Sequence, residues 1–166
     1  YNGEMFKDFI NKLKNMYDII NVEKLMVSLN LLKDSSIAKW GVMSSSQMLK
    51  HCNRHAKLFC NEYNSNFLHK IAAMTYGKYH LLKIKYFLKY DIKKFRGKSK
   101  IPNFLITSSL KDIDFDNERN LLIDRLKYLN NKNGFIFNPA YGFVIWSTNK
   151  KVIFSHIYYH LDQFGV

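Results

Sequence analysis

The chain has 166 residues, 47% of them hydrophobic, 16% aromatic, and a formal net charge of +13. This length is typical of one domain with a sizeable core, and the hydrophobic content excludes an intrinsically disordered chain. The absence of a run of about 18 uncharged apolar residues excludes a membrane-spanning helix, and the first residues do not resemble a signal peptide. Cys52 and Cys60 lack the CxxC spacing of a redox or zinc motif. We therefore expect one cytoplasmic domain over 1–166.

The positive charge comes mainly from lysine, since four of the 26 basic residues are arginine. Arginine leads in base recognition and in bidentate phosphate recognition, so a solvated basic surface is a better interpretation than a nucleic-acid site. The densest basic run, KYHLLKIKYFLKYDIKKFRGKSK, lies at 78–100. It is the best candidate for contact with phosphate or anionic lipid, although a helix with a wet basic face is the stronger interpretation.

Apolar residues recur at spacings of three and four along most of the chain, which predicts helices. The first stripe covers 6–17, and the second covers 22–32 with Asn21 as its cap. Ser44 and Gln47 have the spacing of a capping box, and this box predicts a helix that continues to about Asn61.

A third helix is predicted over 66–90, and a non-periodic stretch follows over 95–115. The length of that stretch is typical of a functional or ordered surface loop. A fourth helix is predicted from Asp116 to Lys132, with Gly134 as the residue that ends it.

The end of the chain begins with NPAYGF at 138–143, which predicts a turn. Ser147 or Thr148 is expected to cap a last helix that Gly165 ends. Strand signals are confined to the short runs GFIF and GFVIW. Helices joined mostly by short loops predict an all-α bundle, in which facing helices can build a site in the core.

Two pairs of histidines are spaced four residues apart, His51/His55 and His156/His160. On a helix such residues have Cβ atoms about 5–6 Å apart, close enough for both imidazoles to reach one ion. Surface histidines or hydrogen-bonded core histidines are the alternative interpretation. The second pair interleaves with core-forming residues, where a metal on one nitrogen and an acceptor for the other would satisfy a buried ring. A third ligand is expected from another helix, and His51 is the natural donor.

Three segments also resemble a known family. WGVMSSSQMLKHC at 40–52 resembles the signature WG-x-M-S-x-x-Q-M-L-x-H, and NPAYGF followed by HIYYHLDQFGV resembles the signatures HPFFG and H-x-x-x-H-L-x-Q-F-G. These signatures belong to a family without an assigned activity in the DinB/YfiT-like superfamily of helical-bundle metalloenzymes. The resemblance implies a DinB-like up-down four-helix bundle with additional short helices and one long loop.

The resemblance also implies a metal site. In that superfamily a histidine of the second bundle helix and an H-x-x-x-H pair on the last helix bind a divalent cation and leave open positions. Carried over by position, the ligands are His51, His156 and His160. His55 matches no family ligand, so it is either incidental or a fourth donor. The metal, whether Zn, Ni, Mn or Fe, is not distinguishable from the residues.

Several further residues are candidates to support the ligands or to contact a substrate. Gln163 lies one turn beyond His160 and would bond a ligand, or it is an ordinary C-terminal polar residue. Tyr159 replaces a histidine that is common beside the last ligand, and Asn138 replaces the histidine of the HPFFG turn. Gln47 belongs to the first signature and is a further candidate.

Two hypotheses of different classes follow. The resemblance implies a metal-dependent thiol S-transferase or hydrolase that acts on a small molecule. The alternative is a non-enzymatic basic helical module that binds nucleic acid or an acidic partner, with a structural metal or none. A homodimer is compatible with either. No G-x-S-x-G elbow, P-loop or GxGxxG motif is present to favour another enzyme class.

Overall fold

The structure is a computed structural model that describes residues 21–91 and 105–166. The described chain is mostly helical, and we number its elements in chain order. They are α1 (Val22–Leu31), α2 (Ser45–Phe59), α3 (Phe67–Ala72), α4 (Lys78–Leu82), α5 (Phe115–Asn130), β1 (Phe135–Asn138), β2 (Gly142–Ile145) and α6 (Trp146–Phe164). The helix predicted over 6–17 lies outside the described residues, as do positions 92–104 of the basic run and the long loop.

Four of these helices, α1, α2, α5 and α6, surround one hydrophobic core. Helices α2 and α1 each pack against both α5 and α6. The largest side chains with less than 2% of their surface exposed include Leu25, Leu29, Met48, Leu49, Leu122, Leu126, Ile153 and Leu161. The all-α prediction is therefore confirmed in its coarse form, and the small hairpin of β1 and β2 is the departure from it.

The predicted starts of the first two helices are confirmed. The Asn21 side chain accepts a hydrogen bond from the Glu23 backbone N–H, which caps α1. The Ser44 hydroxyl accepts from the Gln47 N–H at 3.2 Å, and the Gln47 side chain accepts from the Ser44 N–H at 2.9 Å. This capping box fixes the start of α2 and therefore the direction in which its later side chains point.

Helix α2 is locked to α5 by a buried polar network. Asn53 donates to the side chain and the backbone carbonyl of Glu118, both at 2.7 Å, and Arg125 donates to the Asn53 side chain at 2.9 Å. Glu62 accepts from Arg125 at 2.6 and 2.9 Å. Because the buried Glu118 and Arg125 are both hydrogen-bonded, their burial is tolerated, and the opposite side of α2 is held toward α6.

Two predictions about helix ends are wrong. Helix α5 ends at Asn130 with Asn131 as its cap, whereas Gly134 (φ +80°) lies beyond the helix and its carbonyl accepts from the Trp146 N–H at 2.9 Å. Ser147 and Thr148 do not cap α6, because β2 runs directly into the helix through extended Ile145 without a side-chain cap bond. Gly165 does end α6, in the left-handed conformation that glycine favours.

β1 and β2 form an antiparallel hairpin around the predicted NPAYGF turn, with Phe135 opposite Ile145. Asn138 is fully buried at the turn. Its amide donates to Asn149 on α6 at 2.7 Å, and Asn149 donates to the Phe59 carbonyl at the end of α2 at 3.0 Å. Asn138 thus ties the hairpin to the bundle, and its hydrogen bonds reach no histidine among the described residues.

The predicted third helix is present as one continuous helical arm over 67–87. Helices α3 and α4 are joined by a π-helical turn at Ala73–Gly77, and a second π-helical turn at Lys83–Phe87 follows. The arm packs on the hairpin closely enough that a Cβ on Gly77 would lie 2.0 Å from the Ala140 carbonyl oxygen. Within the described chain, no helix combines the length and apolarity needed to cross a membrane.

Candidate metal centre

Four histidine rings meet between α2 and α6. His51 and His55 lie on α2, and His156 and His160 lie on α6. The centroids of neighbouring rings are 4.0 to 5.2 Å apart. Each pair spans one helical turn, so both rings of a pair lie on the same face of their helix. The structure therefore brings together both H-x-x-x-H pairs of the sequence.

Three of the four histidines could hold a metal ion. One ring nitrogen from each of His51, His156 and His160 lies within 4.8 Å of the other two. Since Zn–N bonds are about 2.0–2.1 Å long, small side-chain rotations would bring the three nitrogens to one ion. This is the ligand set expected from the sequence.

The protonation of His51 is fixed by a backbone carbonyl. Its Nδ1 lies 2.7 Å from the Leu105 carbonyl oxygen. A carbonyl oxygen can only accept, so Nδ1 carries the proton and Nε2 of the neutral ring keeps its lone pair. The Gln47 amide holds this loop by donating to the carbonyls of Ser108 at 3.0 Å and Leu110 at 2.9 Å. Gln47 therefore supports His51 through the loop, without a bond to a histidine.

The protonation of His160 is fixed in the same way by a side chain. Its Nδ1 lies 3.1 Å from Oε1 of Gln163, while Nε2 of Gln163 donates to the Trp40 carbonyl. That second bond orients the amide with its oxygen toward His160, so Nδ1 donates and Nε2 of the ring is free to bind. Gln163 is thus the hydrogen-bond partner of a candidate ligand, one of the two roles expected for it.

Gly41 makes room for this arrangement. It has a φ of +92°, and a Cβ at this position would lie 2.1 Å from Nε2 of Gln163. Any other residue would be strained and would push the amide away from the Trp40 carbonyl. The glycine of the WG signature is explained by this contact.

His156 supplies the test of whether a metal fits. Its Nε2 is buried and has no hydrogen-bond partner among the residues that the structure describes. Leaving a buried polar atom unpaired costs about 1–3 kcal/mol. A divalent ion would satisfy this nitrogen, and three neutral imidazoles are a suitable donor set for Zn, Ni or Fe. The residues present therefore fit such an ion.

Burial keeps all four rings in the form that binds metal. It is the main cause of the lowered pKa of His51, and of a pKa well below the ordinary value for His55 and His156. It lowers the pKa of His160 to about 3. Neighbouring imidazoles add to the effect at His55, His156 and His160, so the cluster is neutral at pH 7.

The remaining candidates border the site without joining the convergent group. The ring of His55 lies 4.0 Å from that of His156, tilted by 35°. Tyr159 presents its ring edge-on to His160 at 5.1 Å. Cys52 lies in the core with its Sγ 3.6 Å from the Met48 sulfur, and burial raises its thiol pKa. The thiol is therefore a packing group.

Sequence reasoning missed the carbonyls of Leu105 and Trp40 that orient the site. A backbone acceptor carries no side-chain signal, and Leu105 lies within the non-periodic stretch at 95–115. The only available signal was Gly41, whose place beside Trp40 in the signature suggests a backbone requirement.

Comparisons with protein-family models, with curated proteins and with solved structures found no match. The function is therefore inferred from the residues and their geometry.

Proposed function

We propose that the protein is a DinB-like metalloenzyme in which His51, His156 and His160 hold one divalent ion. We further propose that it transfers a small molecule to a thiol or hydrolyses one. The observation that carries the metal proposal is the unpartnered Nε2 of His156, which lies beside two histidines whose Nδ1 atoms are already bonded. A buried nitrogen of this kind is costly unless a ligand satisfies it.

The position of the site supports the DinB-like assignment. Among the four core helices, α2 is the second along the chain and α6 is the last. Helix α2 carries one of the three proposed ligands and α6 carries the other two. The signature resemblance implies the same distribution. The metal proposal does not depend on this assignment, since it rests on the nitrogens alone.

The chemistry follows from the donor set. When bound, a divalent ion held by three neutral imidazoles lowers the pKa of a water or thiol at an open position. The chain's own contribution is orientation, since Leu105 and Gln163 hold the rings of His51 and His160. His55 is a neutral imidazole beside His156, so it can act as a fourth donor to the ion.

Elemental analysis tests the metal proposal. Protein purified without an affinity tag and without added metal should contain a near-stoichiometric divalent ion, which a His156→Ala variant loses. His69→Ala is the matched control, because His69 is exposed on the helical arm and should leave the metal content unchanged. Wild-type protein that takes up no Zn, Ni, Mn or Fe at pH 8 would overturn the proposal.

Cobalt substitution tests the enzymatic part. Co²⁺-loaded protein should show visible d–d bands that shift when a small thiol is added, because an open position admits the thiolate. A spectrum that neither a thiol nor azide changes would identify a closed site, in which the ion only ties helices together. A His55→Ala variant with unchanged bands would show that His55 is not a ligand.

A further inference from the structure

The helical arm (67–87) is apolar on more than one side. A narrow seam of Ala73, Gly77, Leu81 and Ile84 is buried against the rest of the molecule. Large apolar side chains that point away from this seam are exposed among the described residues. They are Leu68 (74% exposed), Ile71 (40%), Tyr79 (67%), Leu82 (46%) and Tyr86 (63%). A helix that buried only its seam would be expected to carry polar residues at these positions.

The hairpin carries a second exposed apolar face. Phe135 pairs with Ile145 and Phe137 with Phe143, which places these four side chains on one face of the hairpin. Phe135 and Phe143 are 78% and 63% exposed. Lys78 of the arm donates to the Phe143 carbonyl, but a Cβ on Gly142 would meet the backbone of Ala73 and Met74, so the arm packs on the opposite face of the hairpin. The outer side of the arm and this hairpin face are therefore separate apolar surfaces, and an exposed patch of several large apolar side chains, such as that on the arm, marks an interaction site.

The charge of the arm is of one sign. Between positions 67 and 87 the sequence contains Lys70, Lys78, Lys83 and Lys85, no Asp or Glu, and no Arg. A second copy docking through the same arm would place lysines against lysines, which opposes a symmetric dimer. A nucleic acid would pair with the lysines, but it offers no apolar phase to Leu68, Ile71 and Leu82.

We propose that the outer side of the helical arm docks on the surface of a bilayer rich in anionic lipid. Such a surface matches both properties, because the acyl boundary takes up leucine, isoleucine and aromatic side chains while phosphate head groups attract the lysines. The arm lies in the surface and does not cross it. This docking is independent of the metal centre.

Vesicle flotation tests the docking surface. The intact protein should float with vesicles of phosphatidylcholine and phosphatidylserine and much less with phosphatidylcholine alone. The variant Lys70→Gln/Lys83→Gln/Lys85→Gln should lower the partition coefficient roughly 100-fold. Its matched control, Lys24→Gln/Lys33→Gln/Lys111→Gln, removes the same charge from exposed positions elsewhere and should bind like wild type.

The apolar half of the surface has its own variant. Leu68→Ser/Ile71→Ser/Leu82→Ser should weaken vesicle binding at least about tenfold, since each serine removes apolar area from the acyl boundary. Circular dichroism and the metal content of each variant check that the fold and the metal centre are intact. A Tyr79→Trp variant should become sensitive to quenching by lipids brominated in their acyl chains.

Three results would overturn the proposal. Equal vesicle binding by the Lys70/Lys83/Lys85 variant and its matched control would show that binding is not specific to the arm. Loss of binding in the lysine variant but not the serine variant, with equal binding to single-stranded DNA, would indicate a polyanion site. Self-association that the serine variant abolishes, without vesicle binding by wild type, would identify the face as a dimer interface.

Discussion

At the residue scale, His156 carries an unsatisfied buried group within the histidine cluster. Its Nε2 has no partner among the described residues, which costs stability in the metal-free protein, and the proposed ion would remove that cost. His51 and His160 differ, because each has one nitrogen bonded within the protein. The cost of the site is therefore concentrated in a single atom.

Replacing His156 by leucine should separate metal binding from stability. We expect the metal-free variant His156→Leu to unfold with a free energy equal to that of wild type or up to about 2 kcal/mol higher, because the unpaired nitrogen is gone. Added Zn²⁺ should raise the urea midpoint of wild type but not of the variant. A loss of more than 2 kcal/mol in the metal-free variant would mean that the imidazole itself stabilises the fold.

Substitutions at Gln163 and at Gly41 should both weaken metal binding through His160. In Gln163→Leu the His160 Nδ1–H loses its acceptor, and metal affinity should fall about 10–100-fold. Gly41→Ala should reproduce this loss, since the added Cβ displaces the Gln163 amide. Tyr158→Leu, at a 47% exposed position on the same helix, is the control in a competitive Zn²⁺ titration. Affinities within twofold of wild type in both variants would contradict the role assigned to Gln163.

Side chains could be predicted at this scale, whereas backbone partners could not. The spacing of His156 and His160 together with the signature around His51 predicted the convergent group. The carbonyls of Leu105 and Trp40 were not predictable, because any residue supplies a carbonyl and only the folded loop decides where it points.

At the element scale, Gln47 at the start of α2 has two structural roles. Gln47 closes the capping box with Ser44 and also holds the carbonyls of Ser108 and Leu110. The second task keeps the loop that carries Leu105 against His51. The residue that closes the helix cap therefore also supports the orientation of a candidate ligand, His51.

A matched pair of variants separates these two tasks. Ser44→Ala removes only the cap and should cost about 1 kcal/mol of stability with unchanged metal affinity. Gln47→Leu should cost a similar amount and also weaken Zn²⁺ binding about tenfold, because Leu105 no longer holds Nδ1 of His51. Urea unfolding and Zn²⁺ competition on both proteins measure the two quantities. If both variants changed affinity equally, the loop would not be what links Gln47 to the site.

Helix ends could be predicted from the sequence where they depend on residues within one turn. Asn21, Ser44 and Gly165 act as predicted because a cap or a left-handed residue is satisfied within one turn. The predictions for Gly134 and Ser147 were wrong because the hairpin takes over there, through the bond between Trp146 N–H and the Gly134 carbonyl. That bond joins residues twelve apart and has no local signal.

At the scale of the whole molecule, the all-α prediction was correct for the helical core and missed the hairpin that fills one side. Alternating short runs at 135–138 and 142–145 gave only a weak strand signal. The pairing of the core helices could be expected from their apolar stripes. The covered faces of the helical arm could not be predicted from the sequence, because both its seam and its outer side are apolar.

The histidine cluster should make the metal-free molecule sensitive to acid. Burial lowers the pKa of His51, His55, His156 and His160 in the folded state, whereas in the unfolded chain it is about 6.5. At a pH between the folded-state and the unfolded-state pKa, the unfolded chain binds more protons than the folded chain. The free energy of unfolding is therefore highest above about pH 6.5 and falls as the pH is lowered. Urea unfolding from pH 8 to 5 measures the slope.

Two variants frame that measurement. His160→Leu should show a shallower slope, because one buried titrating group is removed. His69→Gln, at an exposed position outside the cluster, is the control for a histidine substitution. A flat profile in wild type, or an equal slope in His160→Leu, would contradict the burial of neutral imidazoles as the cause.

X-ray absorption at the zinc edge of the Zn²⁺-loaded, tag-free protein tests the three-histidine centre most directly. The expected result is one ion per chain with three imidazole nitrogens at about 2.0–2.1 Å and at least one further light donor, together with the loss of one imidazole contribution in His51→Ala. A sulfur neighbour at about 2.3 Å, or a shell of oxygens without imidazole scattering, would contradict it.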